Sequence, residues 1–242
     1  MEREYATQYS ELYTRHWWWR AREEAVLEVM RRRLPQNRPL RILDVGCGDG
    51  LFFDRLAEFG EVDGVESEES LVNPAGPHRS RIQTVPFDRR LQPARLYSLV
   101  LMLDVLEHLD DPAGALRHAH SLLVPGGALL VTVPAFRVLW TNHDTINHHR
   151  ARYRRRTLRP LLERAGFVVL EERYWYQWTF AAKLGIRCAE KILHRRPVIP
   201  RVPPDWLNKL LYWMSRTEQK TLGALGTPFG STLMVYCNSC QS

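Results

Sequence analysis

The stretch Leu40-Arg41-Ile42-Leu43-Asp44-Val45-Gly46-Cys47-Gly48-Asp49-Gly50 decides the fold of this chain. It begins as a short apolar run, which predicts a buried strand over 40–45. Three glycines at alternating positions follow, and then apolar residues at helical spacing, which predicts a tight turn that leads into a helix. Glycine permits a positive φ and places no Cβ between the backbone and a ligand. We therefore expect a polar ligand at this turn, at the end of a central strand.

The spacing of the glycines narrows the choice of ligand. Dinucleotide-binding turns use G-x-G-x-x-G, whereas Gly50 follows only two positions after Gly48. With Asp44 before the first glycine, the stretch instead resembles the first motif of class I S-adenosylmethionine (SAM) dependent methyltransferases. The resemblance implies an α/β, Rossmann-like fold with a seven-stranded, mostly parallel sheet, helices on both faces, an N-terminal helix and a helical insertion before the last strand. It implies SAM as cofactor and S-adenosylhomocysteine as product, and a purely structural turn is the alternative.

Acidic residues at later strand ends extend the resemblance. Glu66 ends the second predicted strand, where a carboxylate can accept hydrogen bonds from both ribose hydroxyls, and a solvent-facing Glu is the alternative. After the fourth predicted strand, D-V-L-E-H-L-D-D-P begins at Asp104 and closely resembles the sequence found there in small-molecule methyltransferases. The resemblance assigns these residues to cofactor binding: Asp44, Gly46, Cys47, Gly48, Gly50, Glu66, Ser67, Phe87, Asp88, Leu103 and Asp104.

A polar loop over 139–153 carries the predicted acceptor chemistry. Its His143-Asp144 pair suits a base with an orienting carboxylate, a ligand pair for a metal, or a loop held by its own contacts. The run resembles the L-W-x-x-H-D…H-x-x-R-R-Y signature of one bacterial subgroup of the family, except that Ala151 replaces the first Arg of the pair. We predict catalytic roles for His143, His148, Asp144 and Tyr153, with the first two as equal candidates for the base. We predict substrate contacts for Trp18, His108, Trp140 and Arg152.

The resemblance and the loop lengths divide the chain into four segments. They are an N-terminal helical cap over 1–36, a SAM-binding core over 37–174, a helical insertion over 175–226, and the final antiparallel strand with a tail over 227–242. One helix is predicted over 10–34, and its His-Trp-Trp run at 16–18 resembles the same bacterial subgroup. The insertion exceeds an ordinary connection, and its aromatic and basic character predicts two amphipathic helices that form a substrate lid. Peripheral membrane contact through 175–215 is the alternative.

Charge and cysteine content limit the partners. The formal charge of +7 raises the prior for an anionic partner, but the arginine run over 150–159 lacks the aromatic residues of a single-strand platform, so nucleic acid is not expected. Cys237 and Cys240 form a single C-x-x-C, and zinc takes four ligands, so no metal site is predicted. No apolar run approaches the ~20 residues that span a bilayer. We expect a cytoplasmic protein, with membrane association and the oligomeric state left open.

The sequence therefore predicts an enzyme that moves a methyl group from SAM to a small-molecule or lipid-like acceptor. Oxygen is the predicted acceptor atom, because a hydroxyl needs a base and the loop over 139–153 offers histidines. An amine acceptor needs less and stays an alternative. An RNA or DNA methyltransferase and a non-catalytic SAM-binding protein are the alternatives of a different class.

Overall fold

The computed structural model describes residues 11–35, 37, 39–193, 201–222 and 225–240, apart from the side chains of 190–193. Within these residues, seven strands form one sheet in the order β3-β2-β1-β4-β5-β7-β6. The strands are β1 (Leu40–Val45), β2 (Gly60–Glu66), β3 (Ile82–Thr84), β4 (Tyr97–Leu103), β5 (Leu123–Pro134), β6 (Phe167–Trp175) and β7 (Thr232–Ser239). β1 and β3 pair in parallel with β2, whereas β7 runs antiparallel to both β5 and β6. The predicted fold class is confirmed.

Central strands of the sheet are apolar along most of their length. Leu99 to Met102 in β4 are completely buried, and β5 is buried from Gly127 to Pro134. Continuous apolar runs are typical of strands that are covered on both faces. The polar residues Asp44 and Glu66 lie towards the carboxyl ends of β1 and β2, and the glycine turn follows β1.

The helices include α1 (Trp17–Arg33), α2 (Phe53–Leu56), α3 (Pro112–Ser121), α4 (Asn142–Ile146), α5 (Arg155–Arg164), α6 (Gln177–Leu193) and α7 (Asp205–Lys220). The single helix predicted over 10–34 differs from the structure at His16. Residues 11–15 are helical, but His16 is extended and caps α1, with its Nδ1 accepting the Trp18 N–H at 3.2 Å. Satisfying a free N–H at the start of a helix stabilises that start, so a second helix begins here.

The described residues fall into two compact units. The first comprises those within Met1–Leu101, Leu122–Gly127 and Pro200–Arg216, and the second those within Met102–Ser121, Ala128–Ile199 and Thr217–Ser242. In the first unit, Asn208 of α7 accepts the Trp17 N–H at 2.8 Å and donates to the Arg15 carbonyl at 2.8 Å. Arg216 of α7 also pairs with Glu28 of α1. These contacts fix α7 along the N-terminal helix.

In the second unit, a carboxylate caps the start of α6. Glu218 accepts the N–H groups of Gln177 and Trp178 at 2.8 and 2.7 Å, and an anion at a helix N-terminus is favoured by the free N–H groups and the helix dipole. The hydroxyls of Thr179 and Ser231 lie 2.5 Å apart and tie the same turn to the start of β7. Two helices thus occupy the described part of the insertion, and its division as a separate segment stays a prediction.

Candidate cofactor and acceptor sites

The glycine turn after β1 has the backbone conformation that its sequence predicts. Gly46, Gly48 and Gly50 have φ values of 72°, 53° and 71°, which is the left-handed region that L side chains rarely adopt. The Gly46 N–H donates to the Val65 carbonyl at 2.8 Å, and so anchors the turn to β2. The turn is therefore a fixed backbone surface in the first unit.

Glu66 closes this turn from the end of β2. Its Oε2 accepts the Gly48 N–H at 3.0 Å, and its Oε1 accepts the Glu68 N–H at 3.0 Å and the Ser67 hydroxyl at 3.4 Å. Glu66 is 6% exposed. The structure thus brings three predicted cofactor residues, Gly48, Glu66 and Ser67, into direct contact. A carboxylate held in this way retains lone pairs for the hydroxyls of a ligand.

Asp44 lies below the turn in a buried, negatively charged environment. It is 5% exposed, and burial raises its pKa to about 7, with Glu66 and Glu23 adding to the rise and Arg22 opposing it. Arg22 also lies over the Trp18 ring, 5.1 Å from its centroid. A buried carboxylate with excess negative charge around it favours a positively charged ligand. Trp18, predicted for substrate contact, is placed in this unit by its contact with Arg22.

The remaining predicted cofactor residues have different surroundings. Burial raises the pKa of the Cys47 thiol, and its Sγ would lie 2.4 Å from a Cβ on Gly64, so the neighbouring strand needs glycine there. Asp88, which follows Phe87, forms a surface ion pair with Arg90 at 2.5 Å. In the second unit, Asp104 follows Leu103 at the end of β4 with a φ of 58°.

Asp144 is the centre of the polar loop over 139–153, which is named the acceptor loop after its predicted role. Its side chain is completely buried, with Arg152 Nε at 2.8 Å from Oδ1, Arg152 Nη2 at 3.0 Å from Oδ2 and His149 Nδ1 at 2.8 Å from Oδ1. Burial acts to raise the pKa of Asp144, but hydrogen bonds from His149 and Arg152 and the arginine charge outweigh it and hold the pKa well below its ordinary value. The carboxylate of this loop is therefore paired with His149, a residue that the sequence analysis did not select.

The two predicted bases have separate environments. His143 is exposed at the surface, but partial desolvation of its ring and the charge of Lys183 lower its pKa to about 4, and the ring contacts the Asn147 side-chain amide at 3.1 Å. His148 is exposed and has a φ of 55°. Lys183 of α6 was also missed by sequence reasoning. Burial lowers its pKa to about 8 with the help of Arg152, against the opposing charges of Asp144 and Asp104.

Arg152 and Tyr153 hold the loop to the sheet. Beyond its pair with Asp144, Arg152 donates from Nη1 to the Ala135 carbonyl at 2.9 Å. The Tyr153 hydroxyl donates to the Leu106 carbonyl at 3.2 Å, and burial together with Glu107 raises its pKa to about 12. Trp140 donates from Nε1 to the Thr145 hydroxyl at 3.3 Å. The loop is thus a preorganised structure built from its own polar side chains.

His108 stands against the same loop. Its ring packs edge-to-face on that of His149, with ring centroids 4.8 Å apart; although the residue is exposed, partial desolvation of the ring lowers its pKa. Glu107, beside it, is completely buried. The sequence contains the dipeptides Glu107-His108 and His148-His149, and these were the only signal available before folding. Nothing in the linear order indicates that they meet.

Several arginines of the run over 150–159 make contacts within the second unit. Arg150 Nη1 lies 2.7 Å from Asp110 Oδ1, Arg155 donates to the Glu172 carbonyl at 3.3 Å, and Arg159 pairs with the Glu172 carboxylate at 2.6 Å. The ion pairs with Asp110 and Glu172 therefore neutralise part of the positive charge of this run.

The sequence and the fold of this chain are similar to those of known proteins. A family model described as "Methyltransferase domain" matches residues 18–172, which is more than half of the chain. The chain belongs to the methyltransferase domain family. A "Ubiquinone biosynthesis O-methyltransferase" from Xanthomonas axonopodis pv. citri (strain 306) is 35% identical over 115 residues, which cover 44% of this chain and 47% of that protein. The chain matches less than half the length of the curated relatives.

Solved structures show the same fold. A SAM dependent methyltransferase from Archaeoglobus fulgidus aligns with a TM-score of 0.56 at 17% identity, covering 90% of this chain and 94% of that one. N-methyltransferase NodS from Bradyrhizobium japonicum WM9, in complex with S-adenosyl-L-homocysteine, aligns with a TM-score of 0.54 at 14% identity, covering 91% and 87%. The predicted methyltransferase family and its fold are confirmed. Among the described residues, no helix combines the length and apolar character needed to cross a membrane.

Proposed function

We propose that this member of the family binds SAM at the glycine turn and transfers its methyl group to a hydroxyl oxygen of a small-molecule acceptor. The observation that carries the proposal is the bond from the Gly48 N–H to the Glu66 carboxylate at 3.0 Å, beside the buried Asp44. It fixes a carboxylate next to an open glycine backbone, the arrangement suited to ribose hydroxyls and a polar ligand tail.

The electrostatics of the first unit support SAM as a cationic ligand. Asp44, Glu66 and Glu23 interact in a region where Arg22 opposes their charge. SAM carries a sulfonium and an amino group, so its binding would supply positive charge to this region. Favourable interaction with these carboxylates would lower the raised pKa of Asp44. We expect SAM binding near pH 7 to release protons, whereas a neutral nucleoside would release fewer.

An oxygen acceptor is supported by two observations. The curated relatives that match this chain carry the name O-methyltransferase, and the acceptor loop offers histidines on a rigid scaffold. A general base works best with a pKa near the working pH. The lowered pKa of His143 makes it the weaker base at neutral pH, so we place His148 first. Asp144, Arg152 and Tyr153 then act as positioning residues that hold the loop.

The experiment has two separable parts. Calorimetry with S-adenosylhomocysteine tests the donor site, and transfer of a radiolabelled methyl group from SAM to a panel of phenols, catechols and matched amines tests the acceptor. We expect binding with one site per chain and label in hydroxylated compounds. Absence of binding would overturn the donor site. Binding with label only in amines would overturn the oxygen acceptor, and binding without any transfer would favour a non-catalytic SAM-binding protein.

The base assignment has its own test. His148→Asn preserves a residue type that tolerates a positive φ, and we expect it to lower kcat on a hydroxyl acceptor by about 100-fold or more, within the range for general base catalysis. His143→Gln should lower kcat less. Unchanged turnover in both variants would show that neither His143 nor His148 acts as the base.

A lipid-like acceptor, reached by contact with a membrane surface, is a second candidate because α7 exposes large apolar side chains. Trp206, Leu210 and Trp213 are 69%, 49% and 65% exposed, and Lys209 lies among them. An apolar face with tryptophan and lysine suits the membrane interface. Co-sedimentation with vesicles that contain anionic lipid should be reduced in Trp206→Ser/Trp213→Ser. Equal sedimentation of this variant and the wild type would leave the helix without a membrane role.

A further inference from the structure

Three side chains of the second unit bring metal-binding atoms together. A carboxylate oxygen of Glu107, a ring nitrogen of His108 and a ring nitrogen of His149 all lie within 4.8 Å of one another. Glu107 and His108 come from the short helical turn after β4, and His149 comes from the acceptor loop. Two imidazoles and one carboxylate form the ligand set of many transition-metal sites.

Hydrogen bonds orient both histidines for this purpose. His149 uses Nδ1 in its 2.8 Å bond with Asp144, which leaves Nε2 as the nitrogen for a further ligand. One ring nitrogen of His108 is bonded to the backbone of Asn147, which likewise leaves the other. Metal-binding histidines are typically held by a carboxylate or a backbone carbonyl on the nitrogen that does not bind the metal. The arrangement thus includes the second layer of contacts that a metal site requires.

The backbone around the cluster is also fixed. The Arg150 N–H donates to the Glu107 carbonyl at 2.7 Å, and Arg150 Nε donates to the His108 carbonyl at 3.1 Å. The Tyr153 hydroxyl donates to the Leu106 carbonyl at 3.2 Å. These bonds join the two segments that supply the three side chains. Glu107 is buried while His108 is exposed, so the cluster has a protein side and a side that is open to solvent.

We propose that Glu107, His108 and His149 bind a divalent transition-metal ion, with Zn²⁺ as the first choice. Imidazole ligands favour Zn²⁺, Co²⁺ or Fe²⁺ over Mg²⁺ and Ca²⁺, which prefer oxygen. Three protein ligands leave at least one position for water or for an oxygen of a bound molecule. No metal site is predicted from the sequence, where only the cysteine pair and the His143-Asp144 pair have recognisable metal-ligand spacing. The proposal does not depend on methyl transfer.

A competing site is available at the C-terminus. Cys237 and Cys240 have the spacing of a half zinc site, but Cys237 is buried in β7, and its thiol bonds the Leu129 carbonyl at 3.5 Å. A buried thiol with a raised pKa is a poor source of the thiolate that binds metal. The test must nevertheless separate the two locations, and Co²⁺ does so because thiolate ligation gives an intense charge-transfer band that histidine and carboxylate ligation do not.

The experiment uses the full chain after treatment with a chelator. Zn²⁺ alone is titrated in competition with a chromophoric chelator, and Co²⁺ alone is titrated by visible absorption. We expect one ion per chain, d–d bands without a thiolate band, and a Zn²⁺ affinity at least tenfold lower in His108→Ala and in Glu107→Gln. The matched control is His148→Asn, which removes the neighbouring imidazole of the same loop and should keep the wild-type affinity.

Four outcomes would overturn the proposal. They are no binding to the wild type, a thiolate band with Co²⁺, unchanged affinity in His108→Ala, and an equal loss in His148→Asn. Circular dichroism of each variant verifies folding. If Glu107→Gln does not fold, His108→Ala decides the matter, because His108 is exposed and its replacement leaves the buried side chains in place. None of these readouts uses methyl transfer, so the metal site and the proposed function can fail separately.

Discussion

The glycine turn and the acceptor loop reach rigidity by opposite means. The turn over 46–50 is defined by backbone torsions and by backbone N–H groups that bond to β2 and to Glu66. The loop over 139–153 is defined by a buried carboxylate, Asp144, which Arg152 and His149 surround. The turn therefore depends on residue types that permit a conformation, whereas the loop depends on charges that must be paired. Substitutions should therefore destabilise the turn through strained torsions and the loop through unpaired buried charge.

The largest effect is expected when the loop's carboxylate loses its charge. Asp144→Asn leaves the buried Arg152 guanidinium without its counter-charge, which costs about 3–5 kcal/mol in the free energy of unfolding. The matched control is Asp88→Asn, which breaks the exposed pair with Arg90 and should cost far less, because solvent screens an exposed pair. Urea denaturation measures both values. Similar costs for the two variants would show that the loop is not organised by its buried pair.

The next effect concerns Asp44 and depends on pH. The pKa of Asp44 is about 7 in the folded chain and 3.8 in the ordinary carboxyl group, so the folded state holds the proton more tightly. The contribution of Asp44 to the stability of the ligand-free wild type therefore falls as pH rises from about 4 to 7. Asp44→Asn lacks this titration, so its free energy of unfolding relative to wild type should increase across that range by about 4 kcal/mol, at 1.36 kcal/mol per pKa unit. A pH-independent difference would contradict the burial of a charged Asp44.

A smaller effect is expected in ligand affinity at the turn. Glu66→Gln removes the negative charge that would accept ribose hydroxyls but preserves an oxygen for the Gly48 N–H. Hydrogen bonds to charged groups contribute about 1.5–3 kcal/mol, so the affinity for S-adenosylhomocysteine should fall about 10- to 100-fold. Calorimetry with Glu68→Gln as the neighbouring control should give the wild-type value. A wild-type affinity in Glu66→Gln would show that the negative charge of Glu66 does not contribute to ligand binding.

The smallest effect compares one torsion in both regions. Gly48 and His148 have φ values of 53° and 55°. Gly48→Ala introduces a side chain into the left-handed region and should cost about 1–2 kcal/mol, whereas His148→Asn keeps a residue type that tolerates a positive φ and should change stability by less than about 0.5 kcal/mol. Thermal and urea unfolding of the pair measure the difference. Equal costs would show that the turn does not depend on glycine.

Prediction from sequence succeeded where contacts are local or where a strand has one continuous pattern. β1 has the predicted bounds, and the glycines that follow it have the predicted positive φ values. It missed the break at His16, because one side chain there competes with the helix by capping its own backbone. Sequence reasoning also missed His149 and Lys183, because the order of polar residues along the chain does not tell which of them share a partner.

The sequence by itself determined the glycine turn and the strand ends beside it. Glycine spacing fixes backbone torsions, and the alternation of strand and turn places Asp44 and Glu66 at successive strand ends, so these features follow from short stretches of chain. Only the tertiary structure decided the contacts of the loop over 139–153. It paired Asp144 with Arg152 and His149, and it brought Glu107 and His108 to the same loop. The physical reason is that the polar residues of 139–153 offer several possible partners for one buried carboxylate, and packing against the segment after β4 decides which of them are brought into contact.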